Sequence, residues 1–114
     1  MNLLDTDIII EMLKRKKHGA GIISPITLIE ILRGIEAKKR PKVKELLEDS
    51  FNLLNIDNKT IETYCTLYDK LKEEGMLLPD ADLLIAATAI AYNLKLETKD
   101  EHFQRLKPIG LKVI

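Results

Sequence analysis

The stretch ADLLIAATAIAYN, residues 81–93, constrains the fold more than any other part of the chain. As a helix it is apolar almost all the way round, so it has no polar face to offer water and must be covered on more than one side. Its uncharged centre, Leu83 to Ala91 with one Thr, is far shorter than the ~20 residues a membrane helix needs. The first residues, MNLLDTDIII, carry two acids and no basic n-region, which speaks against a secretory leader. A layered soluble domain is therefore expected, with no membrane partner.

The rest of the chain supplies the other layers. Met1 to Leu4 and Ala20 to Ile23 are short apolar runs that end at Asp5 and at Ser24-Pro25, and both read as buried strands. DTDIIIEMLK reads as a helix between them. Pro25 suits a first helical position, after which Leu28, Ile31, Leu32 and Ile35 share one apolar arc. PKVKELLED is a further short helix, and Phe51 to Ile56 is a third strand. Asn58 is the expected cap of the long helix KTIETYCTLYDKLKEE, which Gly75 stops. Asp80 is the expected cap of the apolar helix, Leu94 to Thr98 a fourth strand, DEHFQRL a short helix and GLKVI a final strand. Alternating strands and helices predict an α/β fold, one domain over residues 1–114 with a mostly parallel sheet covered on both faces. In such a sheet the ligand site lies at the carboxyl ends of the strands.

Several acids fall at that edge. Asp5 ends the first strand, Asp100 follows the fourth, and Asp82 lies in the first turn of the apolar helix. Glu30 sits within the second helix. Taken one by one these residues have ordinary explanations: Asp5 and Asp100 as helix caps, Asp82 as a first-turn acid opposing the helix dipole, Glu30 as part of a solvated face. Together they are harder to dismiss, because carboxylates converging on one crevice repel one another unless they are protonated or share a cation. Oxygen ligands favour a hard divalent ion, Mg²⁺ or Mn²⁺, which can orient a phosphodiester and activate water for in-line attack.

Charge is distributed accordingly. The chain holds 18 Lys+Arg against 18 Asp+Glu, yet residues 14–44 carry ten bases against Glu30 and Glu36, while residues 45–101 carry thirteen acids against five bases. A basic block of this kind can supply phosphate contacts beside an acidic site that otherwise repels RNA, although KRKKH at 14–18 and KKRPK at 38–42 read equally well as solvated faces. Single-stranded or looped RNA is the expected substrate, since in-line attack needs a splayed backbone.

Other candidates carry less. His18 and His102 lack partners at ligating or catalytic spacing and are expected at the surface. Cys65 reads as a core thiol, and as the single cysteine, with no Cys/His cluster of zinc spacing, it fits a reducing cytoplasm. Tyr64, Tyr68 and Tyr92 form no recognisable stacking platform. There is no Gly-rich phosphate loop and no nucleophile elbow. Two further readings stay open at this point. One is a phosphate-accepting receiver domain using Asp5, Asp7, Asp57, Thr98 and Lys99, and the other is a catalytically silent module that binds a protein partner.

LLDTDIII, ITLIEILRG and PDADLLIAATAIAYNLKLETKDEHF resemble, over the length of the chain, the motifs of PIN-domain ribonucleases and more narrowly of VapC-type toxins. The resemblance implies a compact α/β/α domain and a metal-dependent endoribonuclease site. Its acids fall on Asp5, Glu30, Asp82 and Asp100, with Mg²⁺ or Mn²⁺ as cofactor. The LLIAA register favours Asp82 over Asp80, and Thr6 and Thr98 fall where the family places hydroxyls beside the acids. Asp7 stands where many relatives have Asn, and the segment between Glu30 and Asp82 looks short for the family. The resemblance also implies a small VapB-type antitoxin that reaches the acidic groove, and a homodimer.

Overall fold

The computed structural model describes residues 1–17 and 19–114. Five short strands, β1 (Leu3–Leu4), β2 (Ile22–Ile23), β3 (Asn52–Leu53), β4 (Lys95–Glu97) and β5 (Lys112–Val113), form one sheet in the order β3-β2-β1-β4-β5. Every neighbouring pair is parallel, so the sheet is wholly rather than mostly parallel. Helices α1 (Thr6–Lys14), α2 (Pro25–Arg33), α3 (Arg40–Ser50), α4 (Asn58–Glu73) and α5 (Asp80–Ala91) connect them. A 3₁₀ turn over Ala37–Lys39 precedes α3, and a 3₁₀ segment over Glu101–Ile109 joins β4 to β5.

Successive strand residues point to opposite faces of the sheet, and in β1 they feed two different cores. Leu3 joins a core built by Leu67, Leu71, Leu83, Ile85, Leu96 and Phe103, while Leu4 joins a second core of Ile9, Ile23, Leu28, Ile31, Leu47 and Phe51. The first core lies under α4, α5 and the 3₁₀ segment, the second under α1, α2 and α3. Helix α5 buries Leu83, Ile85, Ala86, Ala87, Thr88, Ala89 and Ala91, the all-round burial its composition demands. The Thr88 hydroxyl is satisfied within the helix by the Leu84 carbonyl at 2.8 Å.

Two glycines fix the backbone locally. Gly21, just before β2, leaves no room for a side chain, because a Cβ there would stand 2.6 Å from Leu4 Cδ1. Gly75 takes φ +69 after α4, the left-handed conformation that ends a helix at least cost with glycine.

Several local expectations shift. The cap of α4 is Asp57, whose carboxylate accepts from Thr60 N at 3.0 Å, and Asn58 is the first helical residue. Asp80 is likewise inside α5, with Pro79 at the cap position and no side-chain cap. Strands are two or three residues long, because the helices begin as soon as a strand has passed through the core. On α2, Leu28 and Ile31 are buried while Leu32 and Ile35 are half-exposed. Cys65 is exposed, not in the core.

Candidate active site

The strand order runs outward from β1 in one direction to β2 and β3, and in the other to β4 and β5. The reversal between β1 and β4 is the switch point at which parallel sheets open a crevice beyond their carboxyl ends. Asp5 directly follows β1, and Thr98 to Asp100 directly follow β4.

Asp5 is 7% exposed, extended at φ −74, ψ 161, and its amide donates to Glu97 O at 3.0 Å, so the backbone pairs with β4 up to the crevice. Its carboxylate caps α1 by accepting from Thr6 N at 2.8 Å and accepts from Thr98 Oγ1 at 2.7 Å. Thr98 in turn accepts from the Asp100 amide at 3.0 Å, so one hydroxyl holds the loops after β1 and β4 in register. Asp100 caps the 3₁₀ segment: its Oδ1 accepts from His102 N at 2.9 Å and lies 2.7 Å from His102 Nδ1. Glu30 is reached from α1, where Thr6 Oγ1 donates to Glu30 Oε1 at 2.8 Å and lies 3.2 Å from the Thr27 hydroxyl. Asp5 and Asp100 are thus caps as well as candidate site residues.

Electrostatics tie the acids together. Burial pushes Asp5 from 3.8 up to about 6; the Thr98 and Thr6 hydrogen bonds oppose this, and the charges of Asp7 and Asp82 add to it. Asp82 is raised by burial and by the neighbouring charges of Asp100, Glu30 and Asp7, with His102 opposing. Asp100 is held below its ordinary value, chiefly by the His102 backbone amide and also by the imidazole. Asp5, Asp7, Glu30, Asp82 and Asp100 therefore all take part in one field, linked through Asp82, although they stand on four separate elements.

Asp7, in the first turn of α1, accepts from Lys99 N at 3.1 Å through Oδ2, while its Oδ1 is buried without a hydrogen-bond partner. The Lys99 ammonium pairs with Glu11, which also binds Arg15 at 2.8 Å. Among the described residues no three His, Cys, Asp or Glu side chains close into a ready-made ligand cage. That suits Mg²⁺, which keeps several waters and is held by one or two carboxylates plus substrate phosphate rather than by an all-protein cage. A hard-oxygen donor set with one orphaned, buried carboxylate oxygen fits such a cation.

The structure separates the remaining candidates. Asp80 is engaged outside the crevice, accepting from Tyr64 OH at 2.7 Å, a bond that pushes Tyr64 up to about 12. Asp57 is taken up by capping α4 and by the Tyr92 hydroxyl. The strand order also differs from the 2-1-3-4-5 of receiver-type sheets, so the receiver reading loses both its acceptor and its topology. Tyr64 and Tyr68 do stack, with ring centroids 6.1 Å apart, although both also pack on the core. His102 is on the surface as expected, but it has a partner in Asp100 that spacing alone does not disclose; the signal available is an Asp two residues upstream at a cap. His18 lies outside the described residues. The basic block is spread out: Arg33 stands 3.9 Å from Glu30, whereas Lys14, Arg15, Lys16 and Lys17 sit at the far end of α1, about 13 Å along the helix from Asp5.

Comparison with known proteins gives a match to the PIN domain over residues 3–108. The chain belongs to the PIN-domain family. Within it, the chain is 41% identical to Ribonuclease VapC1 of Methanocaldococcus jannaschii, over 97% of this chain and 85% of that protein, and 34% identical to Ribonuclease VapC of Rickettsia bellii, over 98% and 95%. This places it in the VapC branch of the PIN domains. The fold superimposes on the structure of VapBC-1 from nontypeable Haemophilus influenzae with a TM-score of 0.83 and 25% identity, covering 99% of this chain and 96% of that one. Among the described residues no helix is long and apolar enough to cross a membrane.

Proposed function

We propose that this PIN-domain protein is an endoribonuclease that hydrolyses RNA phosphodiesters with Mg²⁺ or Mn²⁺, the cation being held by Asp5, Glu30, Asp82 and Asp100. The observation that carries the reading is the convergence of acids on the β1/β4 switch point, where burial and mutual repulsion raise both Asp5 and Asp82. A fold keeps such repulsion where a cation relieves it.

The chain's own residues have distinct tasks. Asp5, raised to about 6, is mostly ionised near neutral pH and becomes a cation ligand, while the Thr6 amide and Thr98 hydroxyl fix the direction of its two oxygens. Asp82 faces Asp5 from the first turn of α5. Asp100 stays ionised because the His102 amide binds its Oδ1, and Thr98 ties its backbone to the same hydroxyl that orients Asp5. Glu30 is steered by Thr6. When bound, the cation supplies charge neutralisation at the scissile phosphate and acidifies attacking water. Single-stranded or looped RNA suits a shallow crevice on a sheet edge, because a splayed backbone can present its phosphate in line.

The same reading makes the chain a VapC-type toxin acting in the cytoplasm, with a VapB-type antitoxin that inhibits it by bringing Arg or Lys to the acidic crevice. The names of its relatives support this, as does exposed apolar surface at Ile29 on α2 (58%) and Leu46 on α3 (52%), which a partner can cover. Ile61 on α4 and Leu77 after it are exposed on the other side of the sheet, where a homodimer can form. The test is cleavage of a single-stranded RNA by purified protein. Cleavage must require Mg²⁺ or Mn²⁺, stop in EDTA, and resume when the metal is restored; metal-independent cleavage, or none in the presence of metal, refutes the reading.

A further inference from the structure

One polar atom in the crevice has no role among the four acids proposed to hold the cation: Asp7 Oδ1. Asp7 is not free to turn this oxygen to solvent, because its other oxygen is held by the Lys99 amide at 3.1 Å, and Oδ1 is buried with no hydrogen-bond partner. The Lys99 ammonium does not relieve it, being paired with Glu11 on the next turn of α1. The carboxylate instead acts on Asp5 and on Asp82, raising both. A buried carboxylate oxygen without a donor is among the least favourable polar arrangements in a protein, and beside two further carboxylates the group that resolves it is a cation.

We propose that Asp7 is a fifth acidic ligand of the divalent-cation site, its Oδ1 binding the ion directly or through one of the ion's waters while the Lys99 amide holds Oδ2 in place. This rests on the proposed metal-dependent function and extends its ligand set beyond Asp5, Glu30, Asp82 and Asp100. Asp7 then serves neither as a first-turn acid for α1 nor as a passive neighbour. Its cost to the metal-free fold is the counterpart of its contribution to cation binding.

The two roles are separated by sign. Asp7→Asn keeps an oxygen for the Lys99 amide and replaces the orphaned acceptor by an NH₂ donor facing the carboxylates. If Asp7 is a ligand, this variant melts at a higher temperature than the wild type in EDTA, and binds Mn²⁺ about 10-fold or more weakly when free Mn²⁺ is followed by electron paramagnetic resonance. If Asp7 only complements the helix dipole, the variant melts at a lower temperature in EDTA and its Mn²⁺ affinity is unchanged, and either result overturns the proposal. Asp82→Asn, titrated in parallel, distinguishes failure at Asp7 from failure of the whole site. Binding lost in Asp82→Asn but intact in Asp7→Asn removes Asp7 alone, whereas a wild type that binds no Mn²⁺ removes the metal-dependent function and Asp7's part in it.

Discussion

Asp5→Asn should stabilise the metal-free protein at neutral pH, and the size of the gain is set by the site. In the unfolded chain Asp5 ionises near 3.8; in the fold it ionises near 6, because it is 7% exposed and faces other acids. The folded state therefore binds this proton more tightly, and between those pH values it holds a proton that the unfolded chain has released. Stability from this group is fully present below pH 3.8 and is lost as pH rises through about 6. The interval corresponds to about 3 kcal/mol at roughly 1.4 kcal/mol per unit. Asparagine keeps the bond from the Thr6 amide but leaves the Thr98 hydroxyl proton without its acceptor, which returns part of the gain. The net at pH 7.5 in EDTA is about 1–3 kcal/mol, or roughly 4–12 °C in Tm for a domain of this size. Urea unfolding of wild type and Asp5→Asn between pH 4 and pH 7.5 measures it. The wild type should weaken with rising pH relative to the variant, and the two curves should converge at the acid end. A variant that is less stable at pH 7.5, or one that parallels the wild type across the whole range, refutes the claim that burial strains this carboxylate.

Thr98→Val removes both the donor to Asp5 and the acceptor of the Asp100 amide. It should cost about 1–3 kcal/mol in urea unfolding and drive Asp5 further up, moving the pH midpoint of Mn²⁺ binding upward. Gly21→Ala should cost about 1–3 kcal/mol, since its Cβ meets Leu4, whereas Gly34→Ala, whose nearest neighbour is Ile31 O at an ordinary 3.5 Å, should be close to neutral; thermal melts of the pair compare them. Asp80→Asn should leave RNA cleavage unchanged, because Asp80 is bonded to Tyr64 outside the crevice; loss of cleavage would bring Asp80 into the site.

Much of this arrangement is readable from residue order. The all-round apolar character of 81–93 dictates a helix between layers, and alternation of strands and helices dictates a parallel sheet whose carboxyl edge collects Asp5 and Asp100. Strand length is not readable: Phe51 to Ile56 looks like a six-residue strand, but only Asn52–Leu53 pairs, since apolar composition does not say where a ladder stops. The α4 cap lies one residue earlier than expected because Asp and Asn cap equally well and both are present at 57 and 58. The exposure of Cys65 has a sequence signal: it is two residues from the buried Leu67, about 200° round the helix and hence outward. The roles of Asp7, Thr98 and His102 depend on contacts between segments more than 90 residues apart or on cap geometry, which no local pattern encodes.

The central claim, that the acids at the β1/β4 switch point form the catalytic site, is tested most directly by RNA cleavage with Asp5→Asn, Glu30→Gln, Asp82→Asn and Asp100→Asn, each first shown to be folded by circular dichroism. With Mg²⁺ or Mn²⁺ present, each substitution should lower the cleavage rate by about 100-fold or more, beyond what loss of a supporting residue around a metal produces. Folded variants that all cleave at the wild-type rate would contradict the account.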